Sequence, residues 1–164
     1  MSSNPLAPAW LAVPADANAL PPEVWSANAV RSGRGEVEIA GVSATALTGQ
    51  FGSPLYVVDE ADARGRARRI RDAFDREFDA IGGSAKVYYA GKAFLCTEVA
   101  RWVIEAGLNI DVASGGEMAV ALAANVDPAR LGLHGNNKSL AEIDRAVEVG
   151  VGAVVIDSLI EIDR

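Results

Sequence analysis

One lysine in this chain stands where an amine can react. Lys92 follows Val87-Tyr88-Tyr89-Ala90-Gly91, a run that reads as a strand, and the small Gly91 and Ala93 leave space on both sides of it. Strand alternation puts Tyr88, Ala90 and Lys92 on one side. In parallel strand–helix architectures the carboxyl ends of strands face the active-site mouth. A lysine held there in apolar surroundings has its charged form disfavoured, which favours Schiff-base chemistry with a carbonyl. The ordinary alternative is a lysine snorkelling from a strand end to water. Position alone does not decide between the two.

Asp111 follows Lys92 by nineteen residues, one strand–helix unit further on, so adjacent strand ends would bring the two together. An acid there could hold the ammonium form of Lys92; Asp111 and Ser114 can equally organise the turn and cap the next helix. His134, the single histidine, also falls at a strand end, followed by Asn136, Asn137 and Lys138, which could stabilise the loop or approach a substrate. Cys96 reads as a small buried hydrophobe rather than a nucleophile. No set of residues reads as a metal site. Gly91-Lys92 resembles the end of a phosphate loop, but Lys86 and Ala93 occupy the positions that need Gly and Ser or Thr. No Gly-x-Gly-x-x-Gly follows a strand, so dinucleotide binding has no motif.

From residue 51 onward, apolar stretches of strand length alternate with amphipathic stretches of helix length. Strands are expected at 53–59, 86–91, 108–113, 130–134 and 151–157, mostly apolar on both faces as in a helix-covered parallel sheet. Ala63, Ala67, Ile70, Phe74 and Phe78 share one face of the first predicted helix; Val99, Trp102, Val103 and Ala106 share one of the second. Gly107 and Gly150 stand where helices should stop. Ser114-Gly-Gly-Glu117, Ser139-Leu-Ala-Glu142 and Ser158-Leu-Ile-Glu161 each match a capping box. Five strands leading into helices leave a βα barrel or a doubly wound sheet. Residues 1–50 read as an arm rich in Ala and Pro, with a strand at 36–40 closed by Gly41.

Composition narrows the partners. A net charge of −7 disfavours a nucleic-acid partner. The run Arg64, Arg66, Arg68, Arg69 and Arg71 is followed by Asp72, Asp75, Glu77 and Asp79, so it reads as a solvated face. One cysteine excludes an intrachain disulfide and fits a reducing compartment. No secretory signal and no membrane-spanning apolar run is visible. The default is a soluble cytoplasmic protein.

Four runs occur in order: Ser53-Pro-Leu-Tyr-Val-Val-Asp59, Tyr88-Tyr-Ala-Gly-Lys-Ala-Phe94, Asp111-Val-Ala-Ser-Gly-Gly-Glu117 and His134-Gly-Asn-Asn-Lys-Ser139. Together they resemble the N-terminal part of the diaminopimelate decarboxylase family, the actinobacterial type in particular, over roughly residues 20–164. That family belongs to the barrel-type (fold type III) pyridoxal-phosphate enzymes, beside ornithine and arginine decarboxylases. The resemblance implies an α/β fold: an incomplete TIM (β/α)8 barrel that binds pyridoxal 5′-phosphate (residues 51–164, five βα units), preceded by an arm and strand (1–50) of a separate β-domain. It implies that Lys92 holds the cofactor covalently, and that Asp111, Ser114 and His134 line the cofactor mouth. It implies decarboxylation of a small amino acid, meso-2,6-diaminopimelate, to L-lysine and CO2, in a homodimer when full length. The family's phosphate-binding loop, the acid facing the pyridine nitrogen and the Cys-Glu-Ser-type segment have no counterpart in these residues, so a fragment without activity of its own is expected. Two alternatives remain: a sister decarboxylase of ornithine, arginine or a carboxylated polyamine, and a catalytically inactive regulatory homologue.

Overall fold

The computed structural model describes Pro8 and residues 16–162, so the start of the Ala- and Pro-rich arm lies outside the described residues. The chain divides into two compact units, Met1–Asp59 and Glu60–Arg164.

In the first unit, β1 (Ala29–Arg31), β2 (Val37–Ile39) and β3 (Val42–Ser43) form an antiparallel sheet in that order. The expected strand at 36–40 is thus present, and Ala29–Arg31, read from sequence as part of an arm, pairs with it. Ala40 and Gly41, both at positive φ, make the tight turn that brings Ile39 opposite Val42. Helix α1 (Ala44–Phe51) starts at Ser43, whose side chain accepts from the Ala46 amide. Ser26 and Asn28 side chains donate to the carboxylate of buried Asp59, tying the end of the unit back to its start. Residues 53–59, expected as a strand, form a bend at 53–54 followed by irregular chain, and pair with none of the described strands. Their apolar side chains stay open, Tyr56 being 94% exposed. A strand requires a ladder partner, which hydrophobicity alone does not supply.

The second unit opens with α2 (Glu60–Asp79), followed by β4 (Tyr88–Ala90), α3 (Thr97–Glu105), β5 (Asn109–Val112), α4 (Gly115–Ala123), β6 (Leu131–Leu133), α5 (Leu140–Val149) and β7 (Ala153–Val154). The four strands form one parallel sheet in sequential order, β4-β5-β6-β7. This is an α/β unit of strand–helix repeats whose strands lie in sequential order, as in a βα barrel.

The sheet's two faces differ, contrary to the expectation of apolar residues on both. Ile110, Val112, Leu131 and Leu133 are fully buried together with Val99 and Val103 of α3 and Met118 of α4. Each such side chain contributes about 1.5–3 kcal/mol. Their neighbours along the strands, Tyr88, Asp111 and Gly132, share the opposite face: a Cβ added at Gly132 would lie 3.2 Å from the Tyr88 ring and 3.9 Å from Asp111 Oδ1. Strand alternation therefore separates a core from a polar interior.

Helix α2 also departs from its sequence pattern. Ile70, Phe74 and Phe78 are exposed, with Phe74 and Phe78 stacked at 6.4 Å. Ala67 of the expected face packs against the core, and the polar contacts with α3 are made by arginines whose run reads as solvated. Arg64 bonds Glu105 at 2.5 Å and lies 5.8 Å from the Trp102 ring centroid, while Arg71 donates to the Ala106 carbonyl at 2.6 Å. The Glu105 bond leads in raising the Arg64 pKa above its ordinary value. Gly107 and Gly150 follow α3 and α5 at φ +93° and +78°, as their positions predict. No helix among the described residues is long and apolar enough to cross a membrane.

Candidate functional site

Strand β4 ends one residue before Gly91, and Gly91–Ala93 form a single 3-10 turn, so Lys92 sits on the turn rather than on the strand. Gly91 is buried against β5; a Cβ there would lie 2.9 Å from the Asp111 carbonyl oxygen. Only glycine lets the turn approach this closely, and the approach holds Lys92 at the carboxyl end of the sheet. The Tyr89 hydroxyl donates to the Phe94 carbonyl at 2.6 Å and secures the far side of the turn. Burial, and secondarily Cys96, raise the Tyr89 phenol above its ordinary 10.0. Cys96 itself packs half-buried against the core, as its type suggested.

A pocket of ≈ 700 Å³ opens beside the turn, walled by Lys92, Ala113, His134, the loop Gly135–Asn137, and Asp157. Lys92 is exposed, not enclosed in the apolar pocket that sequence suggested, and among the described residues it makes no hydrogen bond or ion pair.

Asp111 and His134 come together. The His134 backbone amide donates to the Val112 carbonyl, extending the ladder past β6. Its ring lies between two carboxylates, Nδ1 3.6 Å from Asp111 Oδ2 and Nε2 3.7 Å from Asp157 Oδ1. Asp111 thus faces His134, and no bond joins it to Lys92. Ser114 starts α4, its Oγ accepting from the Glu117 amide at 3.2 Å. It stands apart from the pocket wall.

The three serine–glutamate turns differ in detail. Ser139 and Glu142 form the full capping box, and Glu142 Oε1 also accepts from the Gly115 amide at 2.7 Å. These bonds, Ser139's backbone first and Gly115's next, hold the Glu142 carboxyl below the usual carboxylate range. Glu117 and Glu161 instead accept from the amides of Ala113 and Asp157, one residue before each serine. Ser158 opens only a 3-10 turn, Leu159–Ile162. In both departures the carboxylate serves the strand end, not the helix cap.

Two features escaped sequence reasoning. Asp157 lines the pocket, and a carboxylate at the end of an expected strand, the position Asp111 also holds, was the available signal. Lys138, only 2% exposed, pairs with Glu161 at 3.0 Å. Nothing in their spacing announces this.

The wall fits a flat carbonyl-bearing cofactor. It offers an unengaged primary amine between small residues, an imidazole, two exposed amide side chains, and a volume within the range of small-molecule sites.

A family model described as the pyridoxal-binding domain of pyridoxal-dependent decarboxylases matches residues 64–164. The chain is 53% identical over 141 residues to a diaminopimelate decarboxylase of Mycobacterium leprae, covering 86% of this chain and 28% of that protein. It is 51% identical over 145 residues to one of Mycobacterium bovis, covering 88% and 31%. Among solved structures, the diaminopimelate decarboxylase of M. jannaschii in complex with L-lysine superposes with a TM-score of 0.76 at 31% identity, covering 84% of this chain and 32% of that one. The chain therefore spans about 30% of the length of the relatives it matches.

Proposed function

This chain belongs to the pyridoxal-dependent decarboxylases, as a part of their pyridoxal-binding domain, and from that premise we propose that the intact protein decarboxylates meso-2,6-diaminopimelate to L-lysine and CO2. The observation that carries the proposal is the unengaged Lys92 amine on the pocket wall at the carboxyl end of a parallel sheet. A lysine without partners is available for covalent attachment, whereas one held in an ion pair is not. Similarity to proteins named for this activity supports the choice of substrate.

When bound, pyridoxal phosphate supplies an aldehyde for attachment and a ring that takes up the electron pair left as CO2 departs. Lys92 is the residue that holds it. The turn over β5 sets where that amine stands, with Gly91 lying so close to the Asp111 carbonyl that an added Cβ would meet it at 2.9 Å. His134, flanked by Asp111 and Asp157, presents an imidazole on the adjacent wall, where it can hold or pass a proton at Nε2 or Nδ1. Ser114 lines none of the pocket, so its contribution to cofactor binding would be indirect, through the start of α4 that it caps. Asn136 and Asn137 offer amide donors and acceptors to a polar ligand.

The same reading places residues 1–50 in a separate β-domain and residues 51–164 in the barrel, makes the intact protein a homodimer, and locates it in the cytoplasm. It implies that residues 1–164 alone bind the cofactor weakly and do not turn over.

The test is an absorbance band in the visible from the intact protein with cofactor, lost in Lys92→Ala, together with release of L-lysine from meso-diaminopimelate. A band that survives Lys92→Ala would sink the assignment of the lysine. Diamine release from ornithine with no lysine formed would move the protein to the sister decarboxylases.

A further inference from the structure

Two of the loops that wall the pocket, one after β6 and one after β7, are joined by a buried ion pair. Lys138 Nζ donates to the Gly135 carbonyl of its own loop and to Glu161 Oε2 at 3.0 Å, and lies 3.8 Å from Asp157 Oδ2. The same Glu161 oxygen accepts from the Asp157 backbone amide at 2.9 Å. Asp157 is thereby held at its backbone by Glu161 and at one carboxylate oxygen by Lys138, while its other oxygen lies 3.7 Å from His134 Nε2. On the opposite side of the ring, His134 Nδ1 lies 3.6 Å from Asp111. The groups form one chain, Glu161–Lys138–Asp157–His134–Asp111, that leads from a buried turn to the pocket.

We propose that Lys138 and Glu161 form a clip that fixes the pocket wall, with Lys138 the positioning residue for Asp157 and His134. Taking two charges out of water is expensive, and apolar side chains of similar size would fill the same space without that cost. What apolar packing does not provide is directed bonds to Gly135 on one loop and Asp157 on the other. The loop after β6 has need of such an anchor. Gly135 adopts φ +148°, Asn136 and Asn137 are exposed, and Lys138 is the buried side chain that follows them. Loops with few buried contacts open at low free-energy cost unless something pins them. The ligand of the wall rests on the proposed function, while the clip rests on geometry alone.

Three variants of the intact protein test it: Lys138→Met, Glu161→Gln, and the double Lys138→Met/Glu161→Met. Amide hydrogen exchange is measured on cofactor-free protein, cofactor affinity by titration, and stability by thermal unfolding. Exchange at the hydrogen-bonded amides of His134 and Asp157, which border the two loops, is expected to rise at least about tenfold in every variant that folds. The cofactor dissociation constant is expected to rise by about tenfold or more. Thermal stability should fall in the single variants and recover in part in the double, where both buried charges are gone and solvent-accessible Asp157 alone loses an ion-pair partner, while cofactor affinity stays weak. Wild-type exchange rates in the double variant would overturn the clip, whether or not cofactor binds. Raised exchange with wild-type affinity would overturn the positioning role, because the pair would then serve stability only. Failure of the wild-type protein to take up cofactor would count against the proposed function, with exchange still deciding the clip.

Discussion

Two lysines stand beyond strand ends in the same sheet and have opposite surroundings. Lys92, after β4, is exposed and engages no other described group. Lys138, beyond β6, is buried, with a carbonyl and two carboxylates around its ammonium. Residue type and topological place are nearly the same, so neither decides what a lysine does. The partners decide. An amine saturated by anions in the interior is committed to structure, and an amine left open on a pocket wall is free for chemistry.

Substituting each lysine separates the two roles, and the largest effect is expected at Lys92. Lys92→Ala should lower turnover of the intact enzyme by more than about 10³-fold, as loss of a group that acts directly on the reaction does. Without cofactor, its stability should change by less than about 0.5 kcal/mol, since no hydrogen bond or ion pair is lost. Steady-state kinetics alongside denaturant unfolding check both halves, and a large loss of stability would show Lys92 to be structural. Lys138→Met should behave in the reverse sense. Leaving Glu161 buried without its cation costs about 3–5 kcal/mol, read as a lowered urea midpoint. A near-neutral result there would erase the distinction between the lysines.

How much of this was legible before the structure follows from the same contrast. Apolar runs and turn residues place Lys92, Asp111 and His134 at strand ends, but only the resemblance of the four runs to a known family turns that placement into a site. Helix stops at Gly107 and Gly150 and the Ser139–Glu142 box were legible because caps are local. Partners across the fold were not. Lys138 and Glu161 lie 23 residues apart, and no periodicity links them. Arg64 and Arg71 read as solvated because composition counts charges without showing which carbonyl or carboxylate they meet. The segment 53–59 looked like a strand because apolar content is intrinsic, whereas pairing depends on a neighbour.

A third substitution displaces the reactive lysine without touching its amine. Gly91→Ala would place a methyl 2.9 Å from the Asp111 carbonyl oxygen, and backbone cannot yield there as a flexible side chain can. The turn must lift off β5, at about 1–3 kcal/mol, the usual range for overpacking. Cofactor uptake should weaken although Lys92 remains. A variant with wild-type stability and wild-type uptake would mean that the turn does not set where the amine stands.

The smallest effect extends the rule from lysines to carboxylates. Glu142 accepts from the Ser139 amide at 2.9 Å, the Ser139 hydroxyl at 2.8 Å and the Gly115 amide at 2.7 Å, joining the start of α5 to the start of α4. These donors favour the ionised form, so its pKa in the folded protein lies below the ordinary 4.5. A carboxyl with a depressed folded pKa contributes stability above its unfolded value and loses that contribution as pH falls through the folded value. Glu142→Gln should therefore be slightly less stable than wild type at neutral pH, with the gap closing as the pH drops below 4.5. Urea midpoints of both proteins across that range provide the measurement. A gap that stays constant with pH would mean that the charge of Glu142 is irrelevant and that only its shape holds the two turns together.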